Sequence, residues 1–437
     1  MTEEFLQYLW KYRLYKAGLS LASGEPVEVI HPGEQNFDEG PDFFNTRIRL
    51  GQTIWAGNAE VHINASDWQK HNHDVEKNYG NVVLHVVYEN DYPLTRADGE
   101  IIPAIELRDQ FDIAMFERYR GFMQNKQWIP CAGLLKSVSA FEKEIWLERL
   151  LIERLERKEE AITTALKQNQ NDWHETFYRS LAKAFGFKLN ADVFEMLAKS
   201  LPLKYLGKHK DNLMQVEALL FGQAGLLGEE LTGQYAQTLW HEYKYLRRKF
   251  QLQPISGHLW RFMRLRPSNF PTVRIAQFAM LIHQSSGLLS QLLKIEDTTK
   301  LLQLLDTDCS DYWQTHYHFG KPSTPKSKHI GEASVNSLVI NTVVPFIFAL
   351  GRQKDDQLMK DKALQLLQDL PGEVNTIIKH WISLGMDNKS AANSQALIEL
   401  KNNYCDLRKC LDCAVGNAIL KQTNFSSLRG TKQSPRI

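Results

Sequence analysis

Two short phrases carry most of the chemistry that this sequence offers. Gly40-Pro41-Asp42-Phe43 supplies one carboxylate, and Ala59-Glu60-Val61-His62-Ile63 supplies a second, with an imidazole two residues on. Two carboxylates held side by side suit a hard divalent cation, because Mg²⁺ and Mn²⁺ take oxygen ligands. Such an ion activates a water and neutralises a phosphate in a transition state. Further imidazoles follow at His71, His73 and His85. Together with His62 they are candidate ligands that would draw the site towards Mn²⁺ or Zn²⁺. His71 and His73 are two apart, so a helix turns them to opposite sides, and only a turn lets both face one ion. The alternative for the whole set is structural: histidines hydrogen-bonded to carboxylates and backbone around a buried polar site.

Alternation says which elements hold these groups. A strand over residues 54–63 puts Ala59, Val61 and Ile63 on a core face and Asn58, Glu60 and His62 on a polar one. Residues 42–50 alternate in the same way, with Thr46, Ile48 and Leu50 opposed to Asn45, Arg47 and Arg49, and Gly51-Gln52 is a break of hairpin length. A hairpin between the two strands sets Asp42 beside Glu60. An amphipathic helix over 3–16 precedes them, with Glu3 and Glu4 at its start and Lys16 at its end, followed by a strand over 26–31 stopped by Pro32-Gly33. After them, Ser66-x-x-Gln69 has the form of a capping box and opens a short helix carrying His71. Residues 81–88 are an almost continuous β-branched run, a strand buried on both faces with His85 in its middle. Residues 100–107 make a further strand, which Pro103 sends to an edge.

The expected fold is an α/β N-terminal domain with a mixed sheet, residues 1–110, followed by a larger, mostly α-helical domain, residues 111–423. A long amphipathic helix over 141–166 opens the helical part, and similar stretches continue to 404. Residues 424–437 read as a disordered polar tail. The composition is that of a globular chain, 43% hydrophobic and 24% charged over 437 residues. Its formal net charge of +1 gives no global field for nucleic acid or membrane, so a polyanion site has to be a local patch. The candidate is Arg264, Arg266 and Arg274, which with Arg261 interleave with Trp260, Phe262 and Phe270 as nucleic-acid-gripping surfaces do. The alternative is that they pair with neighbouring acids. The acidic start is wrong for a signal peptide and no window approaches a membrane span, so a cytoplasmic location without membrane contact is expected. Nothing sets an oligomeric state. Cys405-x4-Cys410-x2-Cys413 has metal-ligand spacing that Cys131 could complete for zinc or an iron–sulfur cluster; the alternative is core thiols.

Pro41-Asp42 followed by Glu60-x-His62, behind a helix bearing Glu3 or Glu4, resembles the PD-(D/E)XK nuclease superfamily over roughly residues 3 to 88. The resemblance implies a nuclease-like core in which Asp42, Glu60 and the backbone carbonyl of Val61 hold Mg²⁺ or Mn²⁺, assisted by a glutamate of the first helix. His62 stands where that superfamily has lysine, and it either joins the ligands or activates the water. Some nucleases of the superfamily also tie a distant cysteine to a trio through an iron–sulfur cluster, as Cys131 and the trio would here. The phrases Gly40-Pro-Asp-Phe, Glu60-Val-His, Ser66-Asp-Trp68, His71-Asn-His73, Leu84-His-Val-Val87, Arg266-Pro-Ser-Asn-Phe-Pro271 and Cys410-Leu-Asp-Cys413 resemble an uncharacterised bacterial family, domain of unknown function 2851, to about residue 420. Three readings follow. One is a metal-dependent nuclease with Asp42, Glu60 and His62 catalytic. The others are a non-catalytic nucleic-acid- or protein-binding module that retains the fold, and a His-liganded zinc hydrolase.

Overall fold

The computed structural model describes residues 1–71, 77–95, 99–285 and 287–422. His73 and the 424–437 tail lie outside them. The chain forms two compact units, Met1–Trp146 with the residues from Leu400 on, and Leu147–Glu399.

The first unit is built on one mixed sheet. Its strands are β1 (Val27–His31), β2 (Glu34–Gln35), β3 (Phe43–Leu50), β4 (Thr53–Asn64), β5 (Val82–Glu89) and β6 (Ala104–Glu106). Their order is β1-β3-β4-β5-β6, with β2 also on β3. β1, β3 and β4 pair antiparallel, and β5 and β6 continue in parallel. Thr46, Ile48 and Leu50 of β3 are buried while Asn45, Arg47 and Arg49 are exposed, as alternation predicts. On β4 alternation stops deciding burial, because the strand is covered on both faces and residues 59–62 are all buried. The polar row is therefore inside the protein.

Helix α1 (Glu3–Lys11) packs on β4 through Phe5, Leu6, Leu9 and Trp10, which are fully buried. It ends a turn earlier than its periodicity suggests. Arg13 turns left-handed at φ 52°, and the Leu14 N–H donates to Leu9 O at 2.9 Å, closing a Schellman turn. The capping box at Ser66 does not form either. The Ser66 hydroxyl donates to Asp91 at 2.7 Å instead, and α2 (Asp67–Lys70) is a single turn. Helix α3 (Ile113–Gln124) lies past residue 110 yet belongs to this unit, its Tyr119 ring stacked on Phe5 at 5.2 Å. Arg408 donates to the Phe122 and Asn125 carbonyls at 2.7 and 2.8 Å, which fixes the residues after Leu400 to the end of α3.

Gly57 marks the tightest place in the sheet. A Cβ there meets Val83 Cγ1 at 2.4 Å and the Asn81 carbonyl at 2.6 Å. Since neither backbone nor a β-branched side chain can withdraw cheaply, Gly57→Ala is expected to destabilise the protein by about 2 kcal/mol or more. Denaturant titration checks this, and an unchanged midpoint would mean that β4 and β5 can part without loss.

The second unit is mostly helical, as expected beyond the sheet, with one two-stranded antiparallel sheet of His316–His318 and Lys321–Pro322. The long amphipathic helix is Ala140–Gln168, and Trp173–Phe185 and Pro271–Gln284 fall where periodicity puts them. Residues 335–350 are helical too, but a π turn at Val339–Val343 interrupts the run. The expectation that no stretch suits a membrane needs correcting. Glu332–Gln353 is long and apolar enough, with mean hydropathy 1.8 over its best window, of which 78% is buried within the protein. It is a core helix by that burial. Trp313 is fully buried against Phe221 and Phe319, both at 5.0 Å. Beside it Glu217 accepts from Ser310 at 2.7 Å and Tyr235 at 2.8 Å, and burial pushes its carboxyl up to about 7 despite those bonds.

Candidate metal centre

β3 pairs with β4 only as far as Phe43 and Ala59, so the next N–H groups along that edge of β4 have no strand to meet. Carboxylates take them. The Val61 N–H donates to Asp42 Oδ2 at 3.0 Å, and the Ile63 N–H serves Glu3. A β-bulge makes this possible. Between Phe43 and Thr46 the β3 strand carries one residue more than β4, with Asn45 left-handed at φ 59°. Strict alternation would leave Asp42 on the Thr46 face. The extra residue flips the strand end, bringing Asp42 beside Glu60.

The two acids are then in direct register. The Asp42 N–H donates to Glu60 Oε2 at 3.0 Å, and Gln7 Nε2 donates to Asp42 Oδ1 at 2.8 Å. Gln7 comes from α1, one turn after Glu3, and Lys11 a further turn on donates to Gln35 at 2.9 Å. A polar stripe at i, i+4 and i+8 therefore lines the sheet from above. Burial raises the Asp42 carboxyl, offset in part by the Val61 and Gln7 bonds. Burial raises Glu60 more strongly, and the Asp42 charge adds to it. Glu3 is raised by burial as well. In the metal-free protein at neutral pH, the Asp42–Glu60 pair therefore keeps a proton.

Histidines extend the polar row inward and outward. His62 Nε2 is 3.7 Å from Glu60 Oε1. Its Nδ1 is 2.8 Å from His85 Nε2, and its Nε2 is 3.2 Å from His71 Nδ1. His85 is fully buried on β5 and His71 is exposed, so the three rings form a hydrogen-bonded chain from core to surface. Trp68 packs edge-on against His62 and His85 at 6.5 and 5.5 Å. Among the described residues, no group of three or more His, Cys, Asp or Glu side chains has a geometry that holds an ion. Two carboxylates are the kind of donor that Mg²⁺ takes, commonly one or two with water and substrate phosphate completing its shell.

Of the remaining candidates, the arginines are dispersed and the cysteines gathered. Arg264 and Arg266 stand exposed, but Arg274 does not join them. It is 4% exposed, and its guanidinium donates to Gln277, Asn269 and Ser334 at 2.9, 2.7 and 3.1 Å and lies over the Phe187 ring. Its position at the third residue past Pro271 puts it inside a buried helix, where no polynucleotide reaches. Phe262 and Phe270 pack on His318 at 5.0 and 4.9 Å rather than offering free faces. Cys131, Cys405, Cys410 and Cys413 do lie near one another in the sheet unit, all as free thiols. Burial first, then neighbouring thiols, pushes Cys131 and Cys410 up to about 12 and Cys405 higher still. Burial pushes Cys413 up to about 11.

Comparison with known families places the chain. Residues 3–376 match the model of the family described as protein of unknown function, DUF2851. The chain belongs to that family. The match spans most of the sheet unit and most of the helical unit, including both acidic phrases, and it stops short of the cysteine trio. No curated protein and no solved structure matches the chain. The family description carries no activity, so function has to come from the site. There, Gln7 was not apparent from sequence motifs, although its i+4 spacing from Glu3 on an acidic, amphipathic helix is a signal that could have found it. The buried Glu217 left no sequence signal.

Proposed function

We propose that this DUF2851 protein is a metal-dependent phosphodiesterase acting on nucleic acid, with Asp42 and Glu60 as the cation ligands. The observation that carries the reading is the pair itself: buried Glu60 with half-buried Asp42 beside it and a third carboxylate from Glu3 close by, a set that among the described residues leaves a cation shell open. An open shell leaves room for water and a phosphate oxygen. The likeness to PD-(D/E)XK nucleases, with Asp42 just before β3, Glu60 on β4 and Glu3 on α1, supports the same assignment, and the Val61 carbonyl is the backbone ligand it implies.

The cation, when bound, supplies an acidified water and neutralises charge on the phosphate. Gln7 and the Val61 N–H hold Asp42 in place, and the Asp42 N–H holds Glu60. His62 takes the proton released when water attacks phosphorus, and exposed His71 returns it to solvent. Because the imidazole nitrogens bond one another, they are assigned to proton transfer ahead of zinc ligation.

Single- and double-stranded DNA and RNA, incubated with chelator-treated protein and added Mn²⁺ or Mg²⁺, test the proposal. Cleavage is expected from the wild type and abolished in Asp42→Ala. Equal cleavage by Asp42→Ala would point to a contaminant, and no cleavage with either ion or Zn²⁺ by the folded protein would favour the binding module.

A further inference from the structure

The Arg264 loop is not the strongest cationic surface in the helical unit. Residues 203–210 and 245–250 together carry Lys204, Lys208, Lys210, Arg247, Arg248 and Lys249, of which Lys210 is paired with the adjoining Asp211 at 3.4 Å. They are the helix Leu203–Gly207 with the turn after it, and the last turns of the helix Gln234–Phe250. The two segments meet through rings. Tyr205 stacks on Phe250 at 4.4 Å and His209 meets Phe250 edge-on at 5.6 Å. Cations surround the stack, with Lys204 Nζ 5.2 Å from the Tyr205 centroid, and Lys249 and Lys208 Nζ 5.2 and 5.9 Å from that of Phe250. Three basic residues in a last turn suit the helix dipole, but six on two elements exceed that need.

Two more observations point to a ligand. Tyr245 is 63% exposed, one turn before Arg248 and Lys249 and on the same helix face, so a large ring stands open beside those two cations. Lys204 and Lys210 also form part of the wall of a cleft of about 840 Å³, lined as well by His174 and Arg179 and by Asp172 and Glu175. An open ring beside cations suits single-stranded nucleic acid, phosphates meeting the charges and a base stacking on the ring. Membrane binding would need an apolar face, and Tyr245 is the only large apolar side chain exposed on these two segments.

We propose that the surface formed by Lys204, Lys208, Arg248, Lys249 and Tyr245 binds single-stranded nucleic acid. The surface stands on its own charges and rings; only its identity as a substrate-holding site rests on the nuclease reading. The test is binding of labelled oligothymidylate to the full chain, with chelator present so that cleavage plays no part. The triple variant Lys204→Glu, Lys208→Glu, Lys249→Glu is expected to bind at least about tenfold more weakly, with a log–log salt slope shallower by about 2, since each neutralised phosphate of a single strand contributes some 0.7. Tyr245→Ala is expected to bind about tenfold more weakly and Tyr245→Phe to bind like wild type, because the ring and not the hydroxyl stacks. Arg264→Glu with Arg266→Glu is expected to leave affinity unchanged. These side chains are exposed, so the variants keep the fold, which a melting curve verifies. Unchanged affinity and slope in the triple variant overturn the proposal, as does tighter binding of wild type to phosphatidylserine vesicles than to the oligonucleotide. Intact binding without cleavage under any cation keeps this surface and removes the nuclease reading; the opposite result does the reverse.

Discussion

Glu60→Gln is expected to abolish cation-dependent cleavage and, in the same protein, to raise the melting temperature of the metal-free form at pH 8. The two effects have one cause. Glu60 is 5% exposed, and burial and the neighbouring Asp42 charge raise its carboxyl. A carboxyl raised in the folded state binds its proton more tightly folded than unfolded. Its contribution is therefore fully present below the ordinary carboxylate range and is lost as pH rises through the raised folded value. Each unit of that elevation is about 1.4 kcal/mol of stability lost on ionisation. Glutamine keeps an oxygen to accept the Asp42 N–H and carries no charge, so it removes the loss. A gain of about 2 kcal/mol, some 5 °C, is the order expected at pH 8, shrinking towards nothing near pH 4. Cleavage falls by about a thousandfold or more, because a cation ligand worth several kcal/mol in the transition state has gone. Differential scanning fluorimetry across pH, beside a cleavage assay, reads both. A variant that is inactive yet no more stable at high pH would mean that the pair is not strained by its own charge.

Much of this site is legible in the sequence alone. Strand alternation is a local property, and the β-branched run at 81–88 and the alternation of Thr46, Ile48 and Leu50 announce β5 and β3. The pairing of Asp42 with Glu60 follows from the hairpin, yet for a reason alternation does not contain. It depends on the extra residue at Phe44-Asn45, and a bulge of this kind leaves no period in the sequence. Arg274 shows the opposite failure. Its neighbours in the sequence are basic and aromatic, but Pro271 starts a helix buried almost throughout, and tertiary packing places the guanidinium inside. The Lys204 surface escapes a reading of the sequence because its halves are separated by some 40 residues and neither stands out alone. Cys131 is in the same situation, far from its trio in sequence, and there the count of thiols is signal enough.

The sharpest test of the imidazole chain is to exchange His62 in two directions. His62→Ala should lower kcat about a hundredfold, the low end of what a positioned acid–base group contributes, while leaving cation affinity largely intact if Asp42 and Glu60 alone hold the ion. His62→Lys puts a fixed positive charge where the His62 Nε2 stands 3.7 Å from Glu60 Oε1. An ammonium there favours the ionised acids, so both carboxyls should fall back towards their ordinary range. Activity needs the ionised pair, so the wild-type rate should rise with pH as the acids release their proton, and the lysine variant should carry that rise to lower pH. Lysine cannot relay a proton between the His71 and His85 rings, so its plateau should lie below that of wild type even as its acidic limb moves. The ammonium moves the limb whichever role His62 has, so the plateau separates the two. If histidine acts only by packing against Trp68 and His85, lysine should damage stability and leave the plateau of the folded fraction at the wild-type level. A reduced plateau in folded His62→Lys, beside the loss of kcat in His62→Ala, is the result that assigns His62 to proton transfer beside the carboxylate pair.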